Sequence, residues 1–127
     1  MTNEARDRTR SSGPSTGTVG DRLIEALSAH GCDTVFGVPG DFVLGLDQRV
    51  EERLRFIGTS DEQGAGFAAD AYARLRGLGC VVVTWGVGGL KVVNTTGQAW
   101  AENSPVVVVS GAPGVSERVN DAKLHHR

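Results

Sequence analysis

The chain has 127 residues, with 13 basic and 15 acidic side chains and a formal net charge of -2. That length is enough for one domain with its own core, and the even charge balance, without a Lys/Arg stripe, argues against nucleic acid or a membrane surface as partner. Glycine is the outlier at 18 residues, about twice the ~7% usual in globular chains, which points to tight turns or to backbone lying close to a ligand.

Residues 1–17, MTNEARDRTRSSGPSTG, offer only Met1 and Ala5 as apolar groups and are expected to form a disordered tail. Glu4, Asp7 and the lack of an apolar face argue against a transit peptide. Thr18 then caps a helix with Leu23, Ile24 and Leu27 at three- and four-residue spacing, ended by Gly31. TVFGV (34–38) reads as a strand stopped by Pro39-Gly40, and Asp41 as the start of a second helix, with Leu44, Leu46 and Val50, reaching about Glu52. LRFIGTS (54–60) is the next strand. Ser60 with Gln63 reads as a capping box for a third helix, which carries Arg74 and Arg76 in its last turn and Gly77 beyond it. CVVVTW (80–85) is an apolar strand, GVGG (86–89) leads a fourth helix to about Asn103, and PVVVVSG (105–111) is the last strand. ERVNDAKLHHR, at the end, shows no helix or strand that would close the architecture.

Strands apolar on both faces and alternating with helices imply an α/β fold, a parallel sheet with helices on both faces. No apolar run approaches the roughly 18 residues of a membrane span, and the N-terminus lacks the apolar core of a signal peptide. Cys32 and Cys80 have neither CxxC nor metal-ligand spacing. A cytoplasmic protein with reduced, buried thiols is therefore expected.

In such sheets ligands gather beyond the carboxyl ends of the strands. Three turns fall there: PGD (39–41), SDE (60–62) and GVGG (86–89). GVGGLK lacks the third glycine of G-x-G-x-x-G, and no Walker A motif occurs, so a phosphate cradle is not indicated. Asp41 can be an ordinary N-cap or a functional acid. Glu62 can complement a helix dipole, but Gly64, Ala65, Gly66, Ala68 and Ala69 around it suit a place where another surface comes close. Asp70 and Tyr72 read as the outer and inner faces of the third helix. His125 and His126 are adjacent, so they cannot form the i, i+4 pair of a zinc helix.

The ordered blocks TVGDRLIEALSAHGCDTVFGVPGD, SDEQGAGFAADAYAR, TWGVGGL, AENSPVVVVSGAP and LHH resemble the N-terminal pyrimidine-binding domain of thiamine-diphosphate-dependent 2-oxo acid decarboxylases, across residues 18–126. The acetolactate synthases, a carboligase branch, share the EQGA and AYAR character, but Asp41 and LHH tip the likeness toward the decarboxylases. The resemblance implies thiamine diphosphate as cofactor, and a 2-oxo acid turned into an aldehyde. Glu62 would hydrogen-bond N1' of the aminopyrimidine, its small neighbours letting the ring approach; a carboxyl among apolar atoms can share a proton with a weakly basic ring nitrogen. Asp41, His125 and His126 would handle protons near the reacting carbon. Gly40, Gly86, Val87 and Gly88 would lie along the pyrimidine.

The family binds the diphosphate and its Mg2+ through a Gly-Asp-Gly and Asn motif in a separate domain, and no Gly-Asp-Gly occurs here. The resemblance thus implies a partial pyrimidine-binding domain at 18–127 that binds no metal itself, works with a diphosphate-binding domain or second chain in a homo- or hetero-oligomer, and is inactive alone. Its last strand is expected to leave an open sheet edge. A non-catalytic remnant or interaction module is the alternative.

Overall fold

The computed structural model describes residues 17–119; the expected tail at 1–16 and both His125 and His126 lie outside the described residues. Four strands, β1 (Thr34–Gly37), β2 (Arg55–Gly58), β3 (Gly79–Val83) and β4 (Val106–Ser110), form one parallel sheet in the order β2-β1-β3-β4. Among the described residues six helices accompany them: α1 (Val19–Ala29), α2 (Leu44–Arg53), α3 (Glu62–Arg76), α4 (Val87–Lys91), α5 (Val93–Ala101) and α6 (Val115–Val119).

The period of two along the central strands divides the core into halves. Val35, Cys80 and Val82 point to one face, where they meet Ile24 and Leu27 of α1 and Val43 and Val50 at α2. Phe36, Val81 and Val83 point to the other, against Ala65 and Ala69 of α3 and Val92. β1 and β3 are buried throughout, whereas β2 and β4 are partly exposed, as edge strands must be. Connection handedness accounts for the split: β1 runs through α2 to β2 on one side, and β2 returns over β1 to β3 in the opposite direction, so a right-handed crossover carries α3 to the opposite face.

Thr18 caps α1 in a full capping box: its hydroxyl accepts from the Asp21 N–H, and Asp21 accepts from the Thr18 N–H at 2.8 Å. Asp21 also takes Arg49 at 2.8 Å and Arg53 at 3.0 Å, tying α1 to α2. Cys32 and Cys80 are free, buried thiols of one core cluster. Burial raises both, Cys80 to about 12.

Several helix boundaries differ from expectation. Asp41 does not open α2: it is exposed in a turn at 41–43, and the helix starts at Leu44, with no side-chain cap. The cause is tertiary, since the Val43 N–H bonds Gly40 O at 2.9 Å and Val43 is buried, drawing the turn into the core before helix can form. Leu44 therefore faces outward, and the inner face of α2 carries Val43, Asp47 and Val50. Asp61, not Ser60, caps α3, accepting from the Gly64 N–H at 2.6 Å. The fourth helix is broken at Val92 into α4 and α5 and ends at Ala101, and α6 appears where no further element was expected.

Asp70 lies inside, not on the outer face. It holds Arg74 through two 3.1 Å bonds and accepts from Gln98 of α5 at 3.0 Å, contacts that let a carboxylate stay buried.

Candidate functional site

The strand order places a topological switch point between β1 and β3. The chain leaves β1 toward one face of the sheet and β3 toward the other, and in open α/β sheets the crevice that takes ligands lies at the carboxyl ends of such a strand pair. The first turn is Val38-Pro39-Gly40, and the second is Thr84 to Gly89.

These turns interlock through missing side chains. A Cβ at Gly40 would stand 2.5 Å from Thr84 Cβ and 2.8 Å from its hydroxyl oxygen, so only glycine permits the approach. Gly86 has φ of 67°, the left-handed region that favours glycine, and turns the chain sharply out of β3 into α4. Gly88 is buried; a Cβ there would lie 3.2 Å from Val83 Cβ and 3.5 Å from Glu62 Oε1.

Glu62 is the first residue of α3, and α3 passes from β2 over β1. Its side chain is 16% exposed, one carboxyl oxygen facing Gly88 and the other 3.9 Å from Lys91 Nζ. The carboxyl thus sits above the switch point instead of projecting from the helix into water. Asp61 accepts a backbone N–H and lies 3.4 Å from the same ammonium; its hydrogen bond with the Gly64 N–H, foremost, holds it below the usual carboxylate range.

Three of the small residues of α3, Ala65, Gly66 and Ala69, pack against the protein's own core. A Cβ at Gly66 would fall on the Thr95 hydroxyl of α5, Gly79 of β3 abuts the Ala69 carbonyl, and Ala65 is core. The surface that comes close is the protein's own, and the glycine facing the Glu62 carboxyl is Gly88, from a different turn.

Glu62 thus faces Gly88, Gly88 packs against Thr84, and Thr84 abuts Gly40; Gly86 and the exposed Val87 precede Gly88 in the same turn. Asp41 is exposed in the turn beside Gly40. His125 and His126 lie outside the described residues. Sequence reasoning missed Lys91 and Thr84. Thr84 Oγ1 is buried without a hydrogen-bond partner, one of three such side-chain oxygens among the described residues, the others being both carboxyl oxygens of Asp47. A polar residue directly after an apolar strand was the available signal for Thr84; nothing local marked Lys91. Among the described residues no three His, Cys, Asp or Glu side chains gather as a metal cluster, and no helix is long and apolar enough to cross a membrane.

Residues 17–126 match the family model of the thiamine pyrophosphate enzyme N-terminal TPP binding domain. Pyruvate decarboxylase isozyme 2 of Saccharomyces cerevisiae is 41% identical over 111 residues, 86% of this chain and 20% of that protein. An alpha-keto-acid decarboxylase of Mycobacterium avium is 44% identical over the same share of each chain. Pyruvate decarboxylase 2 of Nicotiana tabacum is 45% identical, with 18% of its length covered. The chain spans about a fifth of the length of these relatives. A parallel sheet with a switch-point crevice agrees with a match that runs through every described residue: the chain belongs to the thiamine pyrophosphate enzyme family, as its N-terminal TPP binding domain.

Proposed function

We propose that this chain supplies the pyrimidine side of a thiamine diphosphate site in a 2-oxo acid decarboxylase, and that the diphosphate and Mg2+ are held by a separate domain or second chain. The observation that carries the reading is Glu62: a carboxyl mostly withdrawn from solvent, at the switch point, with one oxygen against the bare backbone of Gly88. The residues present fit a flat heterocycle. Gly88 puts no side chain between its backbone and the carboxyl, Gly40 lets Thr84 pack close behind it, and Thr84 contributes an unpartnered hydroxyl.

When bound, thiamine diphosphate supplies the carbon that adds to the 2-oxo group and accepts the electrons left by carbon dioxide. Glu62 would hold and move a proton at a nitrogen of the bound ring. Gly40, Gly86, Val87 and Gly88 set the ring against that carboxyl. Asp41, His125 and His126 would supply the further proton-handling groups that the family resemblance implies. The relatives named for pyruvate and alpha-keto-acid decarboxylation support the choice of reaction. The test combines the full chain with the diphosphate-binding part of a 2-oxo acid decarboxylase, thiamine diphosphate, Mg2+ and a 2-oxo acid. Aldehyde should form with the parent and not with Glu62→Gln; an equal rate from both would end the reading.

A second reading, a non-catalytic interaction module, draws on the apolar surface of α4 and α5, where Leu90 is 74%, Val93 62% and Trp100 86% exposed. It expects no calorimetric signal with thiamine diphosphate and Mg2+ at millimolar levels, with or without a partner chain.

A further inference from the structure

One short helix lies against both oxygens of the candidate acid. α4 presents Gly88 to Glu62 Oε1 and, three residues on, Lys91 to Oε2 at 3.9 Å. Lys91 does not serve Glu62 alone, because its ammonium stands nearer to Asp61, at 3.4 Å, and Asp61 is the residue just before Glu62. The three groups differ in exposure: the Glu62 side chain is 16% exposed, against 43% for Asp61 and 45% for Lys91. The withdrawn member of the trio is therefore the one whose charge is least screened by water.

We propose that Lys91 is a transferable counter-ion: it balances Glu62 while the crevice is empty and withdraws to Asp61 when a heterocycle takes the Glu62 carboxyl. The inference rests on the reading of Glu62 as the ring-facing acid. The ammonium and the ring make opposite demands on that carboxyl, since an ammonium attracts it as an anion and an accepting ring nitrogen needs a proton from it. Both cannot be met at once. Asp61 makes withdrawal easy, because it is already the closer partner and its other oxygen is fixed by the Gly64 N–H at 2.6 Å. Lys91 is thus a positioning residue that acts through Glu62 and sets how readily the ring is accepted.

An ion pair between partly exposed groups shifts an equilibrium by a factor of about two to five, and that is the effect to be read. The full chain, labelled with 15N, is titrated with 4-amino-5-hydroxymethyl-2-methylpyrimidine, a neutral ring without phosphate, while the amides of Gly86 to Gly89 are followed. Lys91→Met should bind the ring about two- to fivefold tighter and Lys91→Arg as the parent does. Asp61→Asn keeps the cap acceptor but weakens the alternative berth, and should bind the ring more weakly by a similar factor. Opposite signs from Lys91→Met and Asp61→Asn are not what general loosening of the turn would give. Without ligand, the Lys91 15Nζ resonance should move in Glu62→Gln. Equal or weaker binding by Lys91→Met, or an unmoved resonance, overturns the proposal. If Glu62→Gln binds the ring as well as the parent does, the reading of Glu62 itself fails and takes this inference with it; Glu62-dependent binding that Lys91→Met leaves unchanged sinks only the role of Lys91.

Discussion

Gly66 of α3 and Thr95 of α5 meet so closely that a single added methyl group at Gly66 would overlap the threonine hydroxyl, which donates to Val92 O at 2.9 Å. This crossing packs α5 against α3. Gly66→Ala should therefore destabilise the fold by about 1–3 kcal/mol, as overpacking of a closed contact does. Thr95→Ala on the same background should recover part of the loss. Urea midpoints with unchanged slopes are the measurement; an unaltered midpoint in Gly66→Ala would show that the helices can separate freely.

Asp70 joins the same two helices by polar contacts. With Asp70→Ala, Gln98 loses its 3.0 Å acceptor and Arg74 its two 3.1 Å bonds. The expected loss is about 2 kcal/mol, typical of hydrogen bonds to a charged group. Gln98→Ala should lose less, because Arg74 still pairs the buried carboxylate. Equal losses would place the importance of Asp70 elsewhere.

Asp47 makes stability fall as pH rises. It sits between Val43 and Val50 with both oxygens unpartnered; burial, with Glu51 adding charge, pushes its carboxyl up to about 6 from an ordinary 3.8. The folded state then binds this proton more tightly than the unfolded chain, so the penalty is absent below about 3.8, grows as pH rises through about 6, and is complete above it. Asp47→Asn should be more stable than the parent at pH 8, by about 1–3 kcal/mol, and no more stable at pH 4. Thermal unfolding across that range decides it. Asp21, Asp33 and Asp70, held below their usual values chiefly by hydrogen bonds from Thr18, Tyr72 and Arg74, act the other way: their stabilisation is present above 3.8 and is lost as pH falls below it.

Cys32 and Cys80 should resist a thiol reagent in the native protein, because burial raises both thiols and neither is at the surface. Both should label together in denaturant. Rapid labelling of one thiol under native conditions would contradict the packing of the α1–α2 face.

Gly40→Ala tests the crevice directly, since its methyl carbon would lie 2.5 Å from Thr84 Cβ and force the two turns apart. Ring binding in the titration above should be lost while the β1–β3 core stays folded by circular dichroism. The double variant Gly40→Ala, Thr84→Gly should restore some of it.

The sheet was legible because TVFGV and CVVVTW are apolar without alternation, which in water only a strand covered on both faces tolerates. Thr18 was legible as a cap for a local reason: the acceptor and its partner Asp21 are three residues apart. The failures were tertiary. Asp41 has the chemistry of a cap, yet Val43 is pulled into the core first. Ser60 and Asp61 are both good caps, and only the final position of α3 selects between them. Gly66, Ala69 and Ala73 of α3 do lie at close approaches, but nothing in their spacing says that Thr95 and Gly79 are what approaches. Lys91 stands 29 positions from Glu62, and no local pattern relates them.

Glu62 follows β2 and Gly88 follows β3, with β1 lying between those strands. Neighbouring strands are spaced by about 4.8 Å, so the two residues can face one another only after the middle strand has been inserted in register. Their proximity therefore depends on all three strands being paired in register. A fluorophore pair or cross-linker bridging those positions would consequently report completion of the sheet, long before any chemistry is assayed.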